Sequence, residues 1–212
     1  MILSRRSLGL AGAVLLALSL VTARQAVAGP PSDQLRSQID RVLRVLDDPE
    51  LKKEGQARER RAAVRKIADD IFDFGETAKR SLGRHWAART PAEREEFVRL
   101  FADLLERSYI SRIEFYGGEK IQFTGDTIEG DLATVRSKLV TKQATEIPIE
   151  YRTLRKGDRW LVYDVVVEGI SMVSSYRTQF NKIIQTSSFT ELVNKMKSKQ
   201  EELEAELDPK RS

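Results

Sequence analysis

The chain has 212 residues, with 36 Lys+Arg against 32 Asp+Glu, one His and no Cys. The absence of Cys excludes disulfides, thiol catalysis and Cys-ligated zinc or iron–sulfur sites, and one His excludes any site that needs two imidazoles. A content of 41% hydrophobic and 32% charged residues is that of a soluble globular domain.

Residues 1–28 read as a cleaved signal peptide. Arg5 and Arg6 supply the positive start, Leu8–Val21 is a run of Leu, Ala, Gly and Val with one Ser that is too short for a transmembrane span, and Ala26-Val27-Ala28 offers the small-x-small pattern of a cleavage site. Cleavage after Ala28 places the working protein in a periplasm-like space. The segment carries Arg5, Arg6 and Arg24 and no acid, so the remainder holds 33 basic and 32 acidic residues. That near-neutral balance argues against nucleic acid as a partner, which calls for a clear basic excess.

From residue 29 to 207 the pattern is helices, then strands, then helices. Leu35, Ile39, Val42, Leu43 and Leu46 recur at helical spacing, with Ser32 as the expected N-cap and Asp48-Pro49 as the stop. A second helix over 56–72 has Ala57, Val64, Ile67, Ala68 and Ile71 on one side. Its other side (Arg58, Glu59, Arg61, Arg65, Lys66) reads as solvated. A short helix over 74–82 ends at Gly83. Thr90-Pro91-Ala92-Glu93 opens the next as N-cap, N1 and N3, and its stripe of Phe97, Leu100, Phe101, Leu104, Leu105 and Ile113 runs to a stop near Gly117-Gly118.

The period then changes. Ile121-Gln122-Phe123 starts a strand and Gly130-Asp131 is a turn. Alternation follows over 133–141 and 147–151, and Lys156-Gly157-Asp158 turns into Trp160–Val167. This predicts about four antiparallel strands. Pro148 cannot donate to a ladder, so its strand is expected at an edge or with a bulge. Strict alternation in the last strand puts Trp160, Val162, Asp164 and Val166 on one face. Helical spacing returns at Ile170, Val173, Phe180, Ile183 and Ile184, and a charged helix over 189–207 precedes a tail at 208–212. The whole is one α+β domain.

Chemistry-bearing residues are few. His85 reads as a packed or hydrogen-bonded residue at a helix end. Asp164, inside a buried strand, is either an acid/base group in an apolar cavity or a structural partner for Arg177, His85 or backbone donors near the next helix. No loop of close-spaced oxygen ligands suggests a metal.

Three strings carry a family resemblance: FGETAKRSLGRHW (74–86), PAEREEFVRLFADLLERSY (91–109) and WLVYDVVVEGISMVSSYRTQF (160–180). With them the chain resembles the MlaC, or toluene-tolerance, family from about residue 35 to about residue 195, and a hopanoid-associated branch is similar. The resemblance implies a carrier and not an enzyme: a monomeric periplasmic phospholipid-binding protein without cofactor. Its implied fold is a curved antiparallel sheet wrapped on helices, like the cone of ketosteroid isomerase and nuclear transport factor. The implied partners are an inner-membrane MCE-domain ABC transporter and an outer-membrane lipoprotein/porin complex. The pocket residues expected on this basis are Phe97, Phe101, Leu104, Leu105, Ile147, Ile149, Tyr151, Val162, Val166, Val173, Tyr176 and Phe180. Lys138 and Arg177 are candidate headgroup contacts, with a surface or structural ion pair as the competing reading, and Lys195, Lys197 and Lys199 form a charged face on the last helix.

Overall fold

The computed structural model describes the backbone of residues 30–53, 55–114 and 118–207, and the side chains of the same residues except 110–114 and 203–207. The expected signal peptide, the Gly117 part of the expected stop and the C-terminal tail lie outside what is described, as does the side chain of Ile113. Helices α1 (Pro31–Asp47), α2 (Ala57–Ile71), α3 (Phe74–Leu82) and α4 (Pro91–Glu114) precede the sheet. A turn of 3₁₀ helix at Gly83–His85 separates α3 from α4. The strands are β1 (Lys120–Glu129), β2 (Leu132–Val140), β3 (Glu146–Lys156), β4 (Arg159–Val167) and β5 (Ile170–Ser171), and α5 (Met172–Thr186) and α6 (Phe189–Leu207) close the chain. The fold is α+β, with an antiparallel sheet in the order β1-β2-β3-β4-β5. The strand beyond the expected four is the two-residue β5, which hands the chain to α5.

Local signals explain most boundaries. The Thr90 Oγ accepts the Glu93 N–H at 3.3 Å while the Glu93 carboxylate accepts the Thr90 N–H at 2.7 Å, a reciprocal cap at the start of α4. Hydrogen bonds from Thr90, that of its backbone N–H foremost, with Arg89 close by, lower the pKa of the Glu93 carboxyl from its ordinary value. At α1 the cap position is Pro30, not the expected Ser32, because Pro31 fixes φ at the first helical position. Ser32 is one residue inside, and its N–H donates instead to Asp126 Oδ2 on β1 at 3.0 Å.

Pro148 also differs from expectation. Strand β3 lies in the interior of the sheet order, but its pairing with β4 begins only at Ile149↔Val167. The Pro148 carbonyl accepts the Glu168 N–H at 3.1 Å. In an antiparallel strand a residue's N–H and C=O point to the same side, so the hydrogen that proline lacks is missing only where β4 has already turned away.

The interior consists of two apolar clusters. One is made by helices: Ala78 and Leu82 of α3, Phe97, Leu100, Phe101 and Leu105 of α4, Phe180 of α5, and Phe189, Leu192, Val193 and Met196 of α6. Its aromatic rings interlock edge to face, Phe97 on Phe180 at 5.6 Å and Phe101 on Tyr176 at 4.9 Å. The other lies between α1, α2 and the sheet, where Leu35, Ile67 and Ile71 meet Val135 and Val162.

Candidate functional site

The two clusters leave a space between them. It is a cavity of about 760 Å³, within the roughly 300–1,000 Å³ of pockets that enclose small ligands. Its wall is mostly apolar: Val64 and Ala68 from α2, Phe72 and Phe74 at the α2–α3 junction, Leu105 and Tyr109 from α4, and Met172 and Tyr176 from α5. The sheet supplies Ile149, Tyr151, Val165 and Val167. The polar members are Arg65, Glu106, Glu168, Ser175 and Gln179. Val64 and Leu105 are buried, whereas Tyr109, Val167 and Ile170 are 39%, 40% and 68% exposed, so these three mark the mouth.

A bulge in β4 decides which of its residues face this space. Thr153 pairs with Val162 and Arg152 with Asp164, which leaves Tyr163 as an extra residue. Paired residues share a face, so Val162 and Asp164 lie on opposite faces. Beyond the bulge Val165 and Val167, opposite Tyr151 and Ile149, point into the cavity. Val166 shares the outward face of Asp164.

Asp164 is buried and both of its carboxylate oxygens have partners. Oδ1 accepts the Val173 N–H at 3.0 Å in the first turn of α5, and Oδ2 accepts from Ser171 Oγ at 2.7 Å and from Arg152 at 3.1 Å. A carboxylate at a helix N-terminus with three donors is a structural anion. Of the two readings open from the sequence, this geometry is the structural one, with Arg152, Ser171 and Val173 as partners in place of Arg177 or His85. His85 places Nε2 3.0 Å from Asn181 Oδ1, which also accepts from Arg84 at 2.8 Å.

Residues 36–198 match the family described as MlaC protein. The chain belongs to the MlaC family. It is 27% identical over 120 residues to the "Intermembrane phospholipid transport system binding protein MlaC" of Haemophilus influenzae, a stretch covering 54% of this chain and 56% of that protein. The chain thus spans about half the length of this curated relative. A phospholipid-binding protein from Ralstonia solanacearum, solved in complex with a phospholipid, superposes with a TM-score of 0.73 at 22% identity, over 82% of this chain and 98% of that one. That likeness establishes the fold.

In this MlaC-family chain the residues expected to line a pocket separate into groups. Leu105, Ile149, Tyr151 and Tyr176 are on the cavity wall. Phe97, Phe101 and Phe180 are in the helical cluster, with Leu104 packed against it. Val162 is in the cluster beneath α1 and α2. Val173 is buried at the start of α5, its N–H on Asp164. Ile147 is on the face of Ile149 but beyond the wall, opposite Leu139, and Val166 faces the other way. Lys138 Nζ is paired with Glu146 at 2.5 Å, and Arg177 donates to the Arg80 carbonyl at 2.8 Å. Lys195, Lys197 and Lys199 are exposed and paired with Glu191, Glu96 and Glu202.

Some wall residues were not anticipated. Strict alternation put Val165 and Val167 on the face opposite Val162 and Val166, and a bulge leaves no mark in residue type. Arg65 was placed on a solvated face. It is instead about a quarter exposed, with its guanidinium between α2 and α4. Burial pushes the phenol of Tyr176 up to about 12, with neighbouring Tyr109 adding to the rise, and burial also raises that of Tyr151.

Proposed function

We propose that the protein is a periplasmic carrier that shelters the acyl chains of a phospholipid in the cavity between sheet and helices and moves the lipid between membranes. The observation that carries this reading is the apolar cavity with an apolar mouth. Each methylene withdrawn from water contributes about 0.8 kcal/mol, so two chains do not cross an aqueous gap unaided. Shelter needs area and shape, and the wall supplies both. The Haemophilus relative is a binding protein of a phospholipid transport system and the Ralstonia structure is a complex with a phospholipid, which supports the ligand class.

The rest of the proposal follows the family. Residues 1–28 direct export and are removed after Ala28, residues 29–207 form the lipid-binding domain, and the carrier works as a monomer. It exchanges lipid with an inner-membrane MCE-domain ABC transporter and an outer-membrane lipoprotein/porin complex. No cofactor enters this reading, and no residue is assigned a catalytic part. Among the described residues none of the helices is long and apolar enough to cross a membrane.

Native mass spectrometry of protein purified from a bacterial host tests the proposal. The expected species is protein plus one phospholipid mass. Ile149→Asp or Val165→Asp places a charge in the cavity and is expected to abolish that species while far-UV circular dichroism is preserved. Wild-type protein carrying no lipid, or both folded variants retaining it, overturns the reading.

A further inference from the structure

The two apolar clusters are fastened together along α3, β4 and α5. The Asp73 N–H donates to the Val162 carbonyl at 2.8 Å. Thr77 Oγ1 reaches the Tyr163 carbonyl at 3.0 Å, and Asp164 holds the Val173 N–H. Where the cavity wall passes from α2 to α4 the arrangement is different. Val64 and Ala68 stand on one bank and Leu105 and Tyr109 on the other, with the cavity between them. Across this gap runs a charge cluster. From α2, Arg65 reaches the Glu106 carboxylate in an ion pair and lies 3.5 Å from Asp103 Oδ1, both on α4. Gln200 of α6 donates to the other Asp103 oxygen at 3.3 Å, which ties the acceptor side to the helical cluster.

Two features make this link reversible. The three side chains are each between a fifth and a third exposed, and ion pairs in contact with water are exchanged for hydration at small cost. Arg65 Nε also lies 3.1 Å from Asp69, one turn along its own helix. When Glu106 and Asp103 let go, the guanidinium keeps an anionic partner, so opening strands no charge. An apolar seam has no such alternative, since parting it exposes hydrocarbon to water.

The geometry points to Arg65 as the clasp of the cavity: the mouth beside Tyr109 widens to pass acyl chains when α2 and α4 part, and the Arg65–Glu106/Asp103 contacts hold that slit shut between transfers. This rests on the carrier reading and names the route and the residue that control it.

The test uses the full exported protein loaded with a fluorescent phosphatidylethanolamine and measures transfer to phosphatidylcholine vesicles. Arg65→Met and, should that variant fold poorly, Glu106→Gln are expected to speed transfer a few-fold. Added salt should speed the wild type and leave Arg65→Met unchanged, a response that a purely structural residue does not give. The chain has no Cys, so the double variant Arg65→Cys/Glu106→Cys is labelled only at the clasp. Bridging the pair with a bis-maleimide is expected to slow transfer about tenfold against the unbridged protein, equivalent to ~1.4 kcal/mol of barrier. Bridged and unbridged proteins that hold lipid and release it equally fast overturn the clasp alone. No lipid held by any form overturns the carrier reading, and the clasp falls with it.

Discussion

Asp164 shows how a single buried charge can be structural. Its carboxylate ends a strand face and begins a helix at once, joining β4 to α5 through Ser171 and Val173. Asp164→Ala leaves a buried N–H and a hydroxyl without their acceptor and is expected to cost about 3 kcal/mol, read as a lower urea midpoint at unchanged slope. Tyr176 gives a second prediction. Its phenol is held protonated to about 12, above the reference of 10. Between those values the unfolded chain releases the proton and the folded one keeps it. The stability this group contributes is therefore whole below pH 10 and is lost as pH rises through 12. Urea titrations above pH 10 should show a steeper alkaline fall for the wild type than for Tyr176→Phe. Equal slopes would mean that the hydroxyl is solvated.

Among the elements, those with strong local signals were legible and those that depend on partners were not. The start of α4 was readable because Thr90, Pro91 and Glu93 each satisfy a backbone requirement by themselves. Thr90→Ala is expected to lower stability by about 1 kcal/mol, measured by thermal unfolding, with the lipid content unaltered. Gly83 was likewise readable as a stop. It adopts φ +57°, a region that glycine enters without strain, and Arg177 packs its stem within 3.4 Å of where a side chain would begin. Strand β4 was found, but its facing was not, since the extra residue at Tyr163 is set by pairing with β3. Val165 and Val167 thus replace Val166 on the cavity side, while Val162 shares their face but packs into the cluster beneath α1 and α2. The place of Arg65 was hidden for a related reason. A charged side chain opposite an apolar stripe reads as solvated until the partner helix is known.

At the level of the whole molecule, the succession of helices, strands and helices follows from the change of hydrophobic period near residue 119. The cavity does not follow from it, because a Leu or Phe at helical spacing looks the same whether it fills a core or borders a space. Phe97 and Leu105 are both buried on α4, yet one interlocks with Phe180 and the other faces the cavity. A cavity between two bodies also has a thermodynamic signature. A ligand that binds only the folded state raises its stability by mass action. Delipidated protein is therefore expected to unfold at a lower temperature than loaded protein, and re-addition of phospholipid should restore the midpoint. Identical calorimetric traces would mean that the space is not a binding site.

Pro148 bears on the entrance although it is not itself on the cavity wall, through its neighbour Ile149 and its partner Glu168, which are. A secondary amine locked in a ring offers no hydrogen, so the zipper between the third and fourth strands receives its last bond from Glu168 and returns none. The turn that follows joins β4 to β5, and the paired residues on either side of it, Val167 and Ile170, keep their side chains exposed at the mouth. The carbonyl of one imino acid thus anchors the start of the turn between the two exposed apolar side chains of the rim.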